Sequence, residues 1–93
     1  MYYVYILHNS QNNVLYIGVT NDLSRRLAEH KNEIADSFTK RYHVHDLVYF
    51  EEYTSPQYAI YREKQLKRWT RKKKEKLITE KNPLFEDISR SFL

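Results

Sequence analysis

The stretch YYVYILHNSQNNVLYIGVT, residues 2–20, decides how the rest of the chain is read. Tyr2 to Leu7 is aromatic and β-branched, HNSQNN (8–13) is a cluster of turn formers, and LYIGVT (15–20) is a second aromatic and β-branched run. Two such runs joined by a short polar connection predict a β-hairpin. Within the second run stands Gly18, the only glycine of 93 residues. A strand interior is a poor place for glycine, which packs nothing and loses the most conformational freedom on folding. Turns elsewhere are left to Asn, Asp, Ser and Pro. Gly18 therefore marks either a bulge or a place where something approaches the backbone closely.

The hairpin opens a chain long enough for one domain, residues 1–93, with one modest core. Hydrophobic residues make up 41% and charged residues 30%, a globular balance. The absence of cysteine excludes a disulfide framework, a thiolate metal site and a thiol nucleophile. MYYVYILHNSQ has no basic leader and its apolar run stops at His8, so neither a signal peptide nor a membrane span is expected. A cytoplasmic protein is the default expectation.

Downstream of the hairpin, Thr20, Asn21 or Asp22 can cap a helix on which Leu23, Leu27 and Ile34 recur. ADSFTKRYHVH (35–45) reads as a loop and DLVYFEEY (46–53) as a third strand. Ser55-Pro56 is an N-cap followed by proline at the first helical position, predicting a helix to about Trp69. A second basic helix, roughly 70–80, should end at Asn82-Pro83. The amphipathic tail LFEDISRSFL is expected to pack back on the body. The order β-β-α-β-α-α implies an α+β fold: a small, mostly antiparallel three-stranded sheet flanked by helices.

Several polar residues fall on apolar faces. With Leu23 at zero and 100° per residue, Ile34 falls at about 20°, Leu27 at about 40°, His30 at about −20° and Arg26 at about −60°. A lone inward histidine is more often a satisfied core residue than a catalyst. An inward-leaning arginine one turn away needs an anion. On the later helix, with Ala59 at zero, Leu66 falls at about −20°, Ile60 at about 100° and Glu63 at about 40°, inside the apolar sector. That carboxylate must be paired with Arg26 or a lysine, protonated, or bound to a cation such as Mg²⁺. Nine tyrosines are a third oddity, although most such residues pack with a wet hydroxyl.

Charge is concentrated in residues 62–76, REKQLKRWTRKKKEK, which hold nine Lys/Arg against two Glu. The stripe carries +7 and the whole chain +4, leaving −3 elsewhere. A solvated helical face is the plain reading of a lysine run. A basic stripe on a slightly acidic body also suits a polyanion, with Lys64, Lys67, Arg68, Arg71, Lys72 and Lys73 as candidate nucleic-acid contacts.

Taken together, the pair YVY and YIG, with eleven positions from Tyr5 to Tyr16, resembles the two-part signature of the GIY-YIG nuclease superfamily. NDLSRRLAEH looks like its helix, with Arg26 at the family's arginine and His30 at its histidine. Glu63 stands at the metal-binding glutamate, and Asn82 matches the asparagine that follows. The likeness covers roughly the whole chain and points to the small, single-domain bacterial branch. One departure is plain: Tyr3 stands where the first triplet has its leading glycine, which bears on substrate access.

The resemblance implies Mg²⁺- (or Mn²⁺-) dependent endonuclease activity on nucleic acid, more readily DNA, in repair or recombination. A basic stripe that binds backbone phosphates without a reader module is expected to make cleavage structure-selective. Its implied catalytic set is Tyr5, Tyr16, Arg26, His30, Glu63 and Asn82. Glu63 would hold the metal, and Gly18 would serve the geometry where the hairpin meets the site. Either tyrosine could take a proton from water, though an unperturbed phenol, with pKa about 10, needs nearby cations to act as a base. The rival reading is a nucleic-acid-binding module that keeps the fold without the reaction, and a third is an interaction domain.

Overall fold

The structure is a computed structural model that describes residues 1–11, 13–34 and 37–92, with residue 37 described for its backbone only. β1 (Tyr2–Asn9) and β2 (Val14–Thr20) form the hairpin, followed by α1 (Leu23–Lys31), α2 (Ser37–Tyr42), β3 (Asp46–Tyr53), α3 (Pro56–Arg68), α4 (Arg71–Thr79) and a 3₁₀ turn at Ser89–Phe92. The sheet order is β2-β1-β3, with β1 antiparallel to both neighbours. The expected α+β order holds, with short α2 added in the segment read as a loop.

A central strand covered on both faces must be apolar on both, and Val4, Tyr5, Ile6 and Leu7 are all buried. Val4 and Ile6 join Ile17, Val48, Ala59, Leu66 and Ile78, beneath α3 and α4. Tyr5 and Leu7 face the other way, onto Leu23 and Leu27 of α1 with Val44 and Leu47. The capping residues act as their types suggest: Asp22 accepts from the Arg25 amide, Ser55 from Tyr58 and Thr70 from Lys73.

Two departures from the helical wheels have local causes. Ile34 is 73% exposed rather than in the core stripe. α1 ends at Lys31, and Glu33 adopts a left-handed conformation (φ 59°), so the 100° periodicity stops before Ile34. On α3 only Ala59 and Leu66 are buried, and Ile60 lies in solvent. The apolar sector is therefore narrower than the wheel suggests.

Gly18 sits in no bulge. The β1–β2 register runs unbroken from Tyr3↔Thr20 to Asn9↔Val14, and the sheet's irregularity lies between β1 and β3, at Ile6/Leu7. Gly18 is directly opposite Tyr5, whose ring lies across it. A Cβ at position 18 would come within 2.9 Å of Tyr5 Cε1 and nearer still to Cζ and Oη. The glycine is needed for space, since its φ is not positive.

The C-terminal segment closes the outer edge of β3. Ile88 donates its amide to the Leu47 carbonyl (2.8 Å), and the Leu47 amide donates to Asp87 Oδ1 (3.1 Å). Asn82 belongs to this device: its amide donates to the Val48 and Glu86 carbonyls (3.1 and 2.8 Å) and accepts from the Glu86 amide (3.0 Å). Across the sheet, Glu51 accepts two bonds from Arg62 (2.9 and 3.0 Å) and one each from the hydroxyls of Tyr49 and Tyr53. Burial pulls the Glu51 carboxyl upward, but the bonds from Arg62, Tyr49 and Tyr53 outweigh it and hold it below the usual carboxylate range. Burial and the same carboxylate push the Tyr53 phenol up to about 12.

Two outcomes are expected in urea denaturation. Gly18→Ala should lower the unfolding free energy by about 1–3 kcal/mol, because the buried Tyr5 ring has to move. Glu51→Gln should lose about 1–3 kcal/mol at neutral pH. Because folding depresses the Glu51 pKa, the wild-type advantage is complete above the ordinary carboxylate range. It should shrink as pH falls through the lower folded value.

Candidate functional site

The ring of Tyr5, passing over Gly18, delivers its hydroxyl to α1. The oxygen lies 3.0 Å from His30 Nε2 and accepts from Arg26 Nε at 3.4 Å. His30 is fully buried, and its Nδ1 is 3.1 Å from the Thr39 hydroxyl on α2. Arginine can only donate, so the Tyr5 oxygen accepts from Arg26, and the tautomer of His30 sets the direction of its bonds to Tyr5 and Thr39. Arg26 Nη1 also pairs with Glu29 at 3.1 Å. The hydrogen bond with Tyr5 and then that with Glu29 outweigh partial burial, and hold the Arg26 proton more firmly than in a free side chain.

Tyr16 completes this cluster. Its ring stands 5.4 Å from that of His30 and 6.3 Å from that of Tyr5, centroid to centroid. Tyr5 is only 1% exposed, whereas Tyr16 is partly exposed and lines a cleft of about 300 Å³ with Leu15, Ile17, Phe38, Lys67 and Lys74. β2 is an edge strand. The two lysines reach its edge from helices on the sheet face opposite Tyr5 and α1. Tyr3, in place of the expected glycine, packs against Phe50 of β3, on the far side of β1 from Tyr16.

Glu63 lies on α3 with its side chain 13% exposed and is paired with Lys67 at 2.8 Å. Of the pairings open to it from sequence, a lysine is the partner, and Arg26 takes Glu29 instead. One largely buried carboxylate fits a hard divalent cation whose other ligands are water and phosphate oxygens. Lys67 joins that carboxylate to the Tyr16 cleft. Asn82, expected in the catalytic set, has its amide hydrogen-bonded to Val48 of β3 and to Glu86.

The basic stripe divides. Lys64 and Arg68 line a second cleft with Tyr61, Gln65 and Trp69. Lys73 Nζ lies 4.2 Å from the centre of the Trp69 ring, a cation–π contact. Arg71 is engaged with Glu75 (3.0 Å) and Asn13 (2.6 Å), which leaves it less able to meet a phosphate, and Lys72 is exposed. Sequence reasoning missed Thr39, Glu29 and Lys74. Thr39 lay in an apparent loop. Glu29 was visible only as the i+3 neighbour of Arg26, and Lys74 was one lysine of a run. No described helix is long and apolar enough to cross a membrane.

Residues 1–76 match the family model described as the GIY-YIG catalytic domain. The chain is 38% identical over 82 residues to a UPF0213 protein of Clostridium perfringens, covering 88% of this chain and 87% of that one. To a UPF0213 protein of Bacillus pumilus it is 35% identical over 79 residues, covering 85% and 80%. The solution NMR structure of a UPF0213 protein from Bacillus halodurans superposes with a TM-score of 0.59 at 30% identity, over 100% of both chains. The GIY-YIG domain is a nuclease domain, and its members generally use a divalent metal. By the extent of the family match and of these relatives, the chain belongs to the GIY-YIG family, among its small UPF0213 members.

Proposed function

We propose that this protein is a divalent-metal-dependent endonuclease that hydrolyses phosphodiester bonds in DNA and selects strand structure over base sequence, as in repair or recombination. The observation that carries this reading is the Tyr5 hydroxyl, held at once by Arg26 and His30 beside a cleft lined by Tyr16, Lys67 and Lys74. A core tyrosine has no need of an arginine and a histidine on one oxygen. A site that moves a proton and gathers negative charge does.

In this reading Tyr16 faces the substrate, because it is the tyrosine that lines an open cleft. Arg26, Lys67 and Lys74 are the cations available to favour its ionised form and to receive a phosphodiester. Tyr5, His30 and Thr39 form a buried chain that keeps Arg26 aimed and can shift a proton toward His30. Glu63 would hold Mg²⁺ or Mn²⁺, which supplies Lewis-acid stabilisation of the leaving oxygen. Lys64, Arg68, Lys72 and Lys73 would bind backbone phosphates and carry little sequence information, which is why shape rather than sequence is the selected feature. The Glu63–Lys67 ion pair favours one rival, a binding module whose carboxylate is already neutralised.

Cleavage of a labelled panel (duplex, single strand, nick, flap, branched DNA, RNA) in Mg²⁺ or Mn²⁺ separates the two. Wild type should cut, and Glu63→Gln should bind without cutting. Binding without cleavage by both proteins in any divalent ion would establish the binding module instead. Arg26→Ala should slow cleavage by about 100-fold or more, and a near-normal rate would remove Arg26 from the chemistry.

A further inference from the structure

Among the described residues, Glu33, His43 and His45 form a group that could share a metal ion, apart from the nuclease cluster. Glu33 follows α1, and His43 and His45 precede β3. One ligand atom from each lies within 4.8 Å of the others. His45 Nε2 is 3.3 Å from Glu33 Oε2, and His43 Nδ1 is hydrogen-bonded to the same oxygen. Two ligands each about 2.0–2.1 Å from a tetrahedral ion stand about 3.3–3.4 Å apart, so the His45–Glu33 spacing is already that of a zinc shell. The two imidazoles meet edge to face, 6.2 Å between centroids, and both line a cleft of about 220 Å³ with His8 and Asp46.

The backbone brings these residues together in uncommon conformations. Glu33 (φ 59°) and His43 (φ 53°) are both left-handed, a region few non-glycine residues enter. Neither residue belongs to the nuclease cluster.

We propose that Glu33, His43 and His45 bind one zinc-class divalent cation, which fastens the end of α1 to the start of β3. Two imidazole nitrogens and one carboxylate select Zn²⁺, Co²⁺ or Ni²⁺ over Mg²⁺, so this site is chemically distinct from the single carboxylate of Glu63. Three protein ligands leave a fourth position for water, in keeping with the 65% exposure of the His43 side chain. The ion would close the connection that carries α2. That connection bears Thr39, which holds His30 Nδ1, and Phe38, which packs on Tyr16. The ion's role is to steady that wall of the cleft, and it takes no part in the reaction.

The test uses the full chain, stripped with chelator and titrated calorimetrically with Zn²⁺. Co²⁺ absorption serves as a second readout, and melting is followed with and without zinc. One equivalent of Zn²⁺, visible tetrahedral Co²⁺ bands and a higher melting temperature with Zn²⁺ but not Mg²⁺ are expected. Loss of outer-shell partners alone costs about 10–100-fold in metal affinity, so His43→Ala/His45→Ala should weaken Zn²⁺ binding by more than about 100-fold. Glu33→Gln, which keeps the side chain's size, should weaken it as well, and Glu63→Gln should keep the equivalent. Zinc binding that survives the double substitution, or that disappears with Glu63→Gln alone, would overturn the assignment. So would the absence of a stoichiometric equivalent in wild type, which would leave Glu33 a hydrogen-bonded partner of two imidazoles.

Discussion

The Tyr5 ring and a side chain at position 18 cannot occupy the same space, and much of the molecule is arranged around that exclusion. β1 is the central strand and is buried on both faces, so a tyrosine there has few ways to satisfy its hydroxyl. The ring takes the path across Gly18, and its oxygen meets Arg26 and His30 on α1. The lone glycine thus gives up side-chain packing at one point of an edge strand. In exchange, a buried phenol is linked to a guanidinium and an imidazole.

The two edges of the sheet are treated differently. Along β3, the C-terminal segment supplies hydrogen bonds to Leu47 and Val48 through Ile88, Asp87 and Asn82, so that edge is covered. At β2, helices from opposite faces converge on Tyr16. α1 brings Arg26 and His30 from one side, while Lys67 and Lys74 come from the other. An edge reachable from both faces is where a phosphodiester can be met by cations from both layers. Glu63 joins this arrangement through its pair with Lys67, which keeps a largely buried carboxylate compensated.

Polar groups in the interior follow the same economy. Glu51 gathers Arg62, Tyr49 and Tyr53, and His30 is held between Tyr5 and Thr39. Among the described residues no buried side-chain polar atom lacks a partner. The network on β3 and α3 secures the scaffold, and the chain through Tyr5 has the reactive group types. Both stand beside a cleft, Glu51 and Tyr49 lining one of about 710 Å³ along β3 and Tyr16 the smaller one next to the Tyr5 chain. Their difference lies in the groups, a carboxylate matched to a guanidinium on β3 and α3 against a phenol shared by a guanidinium and an imidazole.

The sequence by itself determined the hairpin, the third strand, the capped helices and the inward placement of His30, because each rests on periodicity or capping within one segment. It also marked Gly18 and Glu63 as anomalies, since a glycine in a strand and a carboxylate in an apolar sector break local rules. Only the tertiary structure decided what those anomalies meet. That Gly18 makes room for Tyr5 rather than forming a bulge and that Thr39 holds His30 are contacts whose neighbours in sequence give no sign of them. Glu63, by contrast, takes a lysine four residues along its own helix, one of the partners the sequence left open. Asn82 shows the same limit from the other direction. The family resemblance placed it in the catalytic set, and the structure adds a hydrogen bond to Val48, 34 residues away, that ties down an edge strand. Periodicity reports which way a side chain faces, and the partner it finds there depends on how distant segments pack.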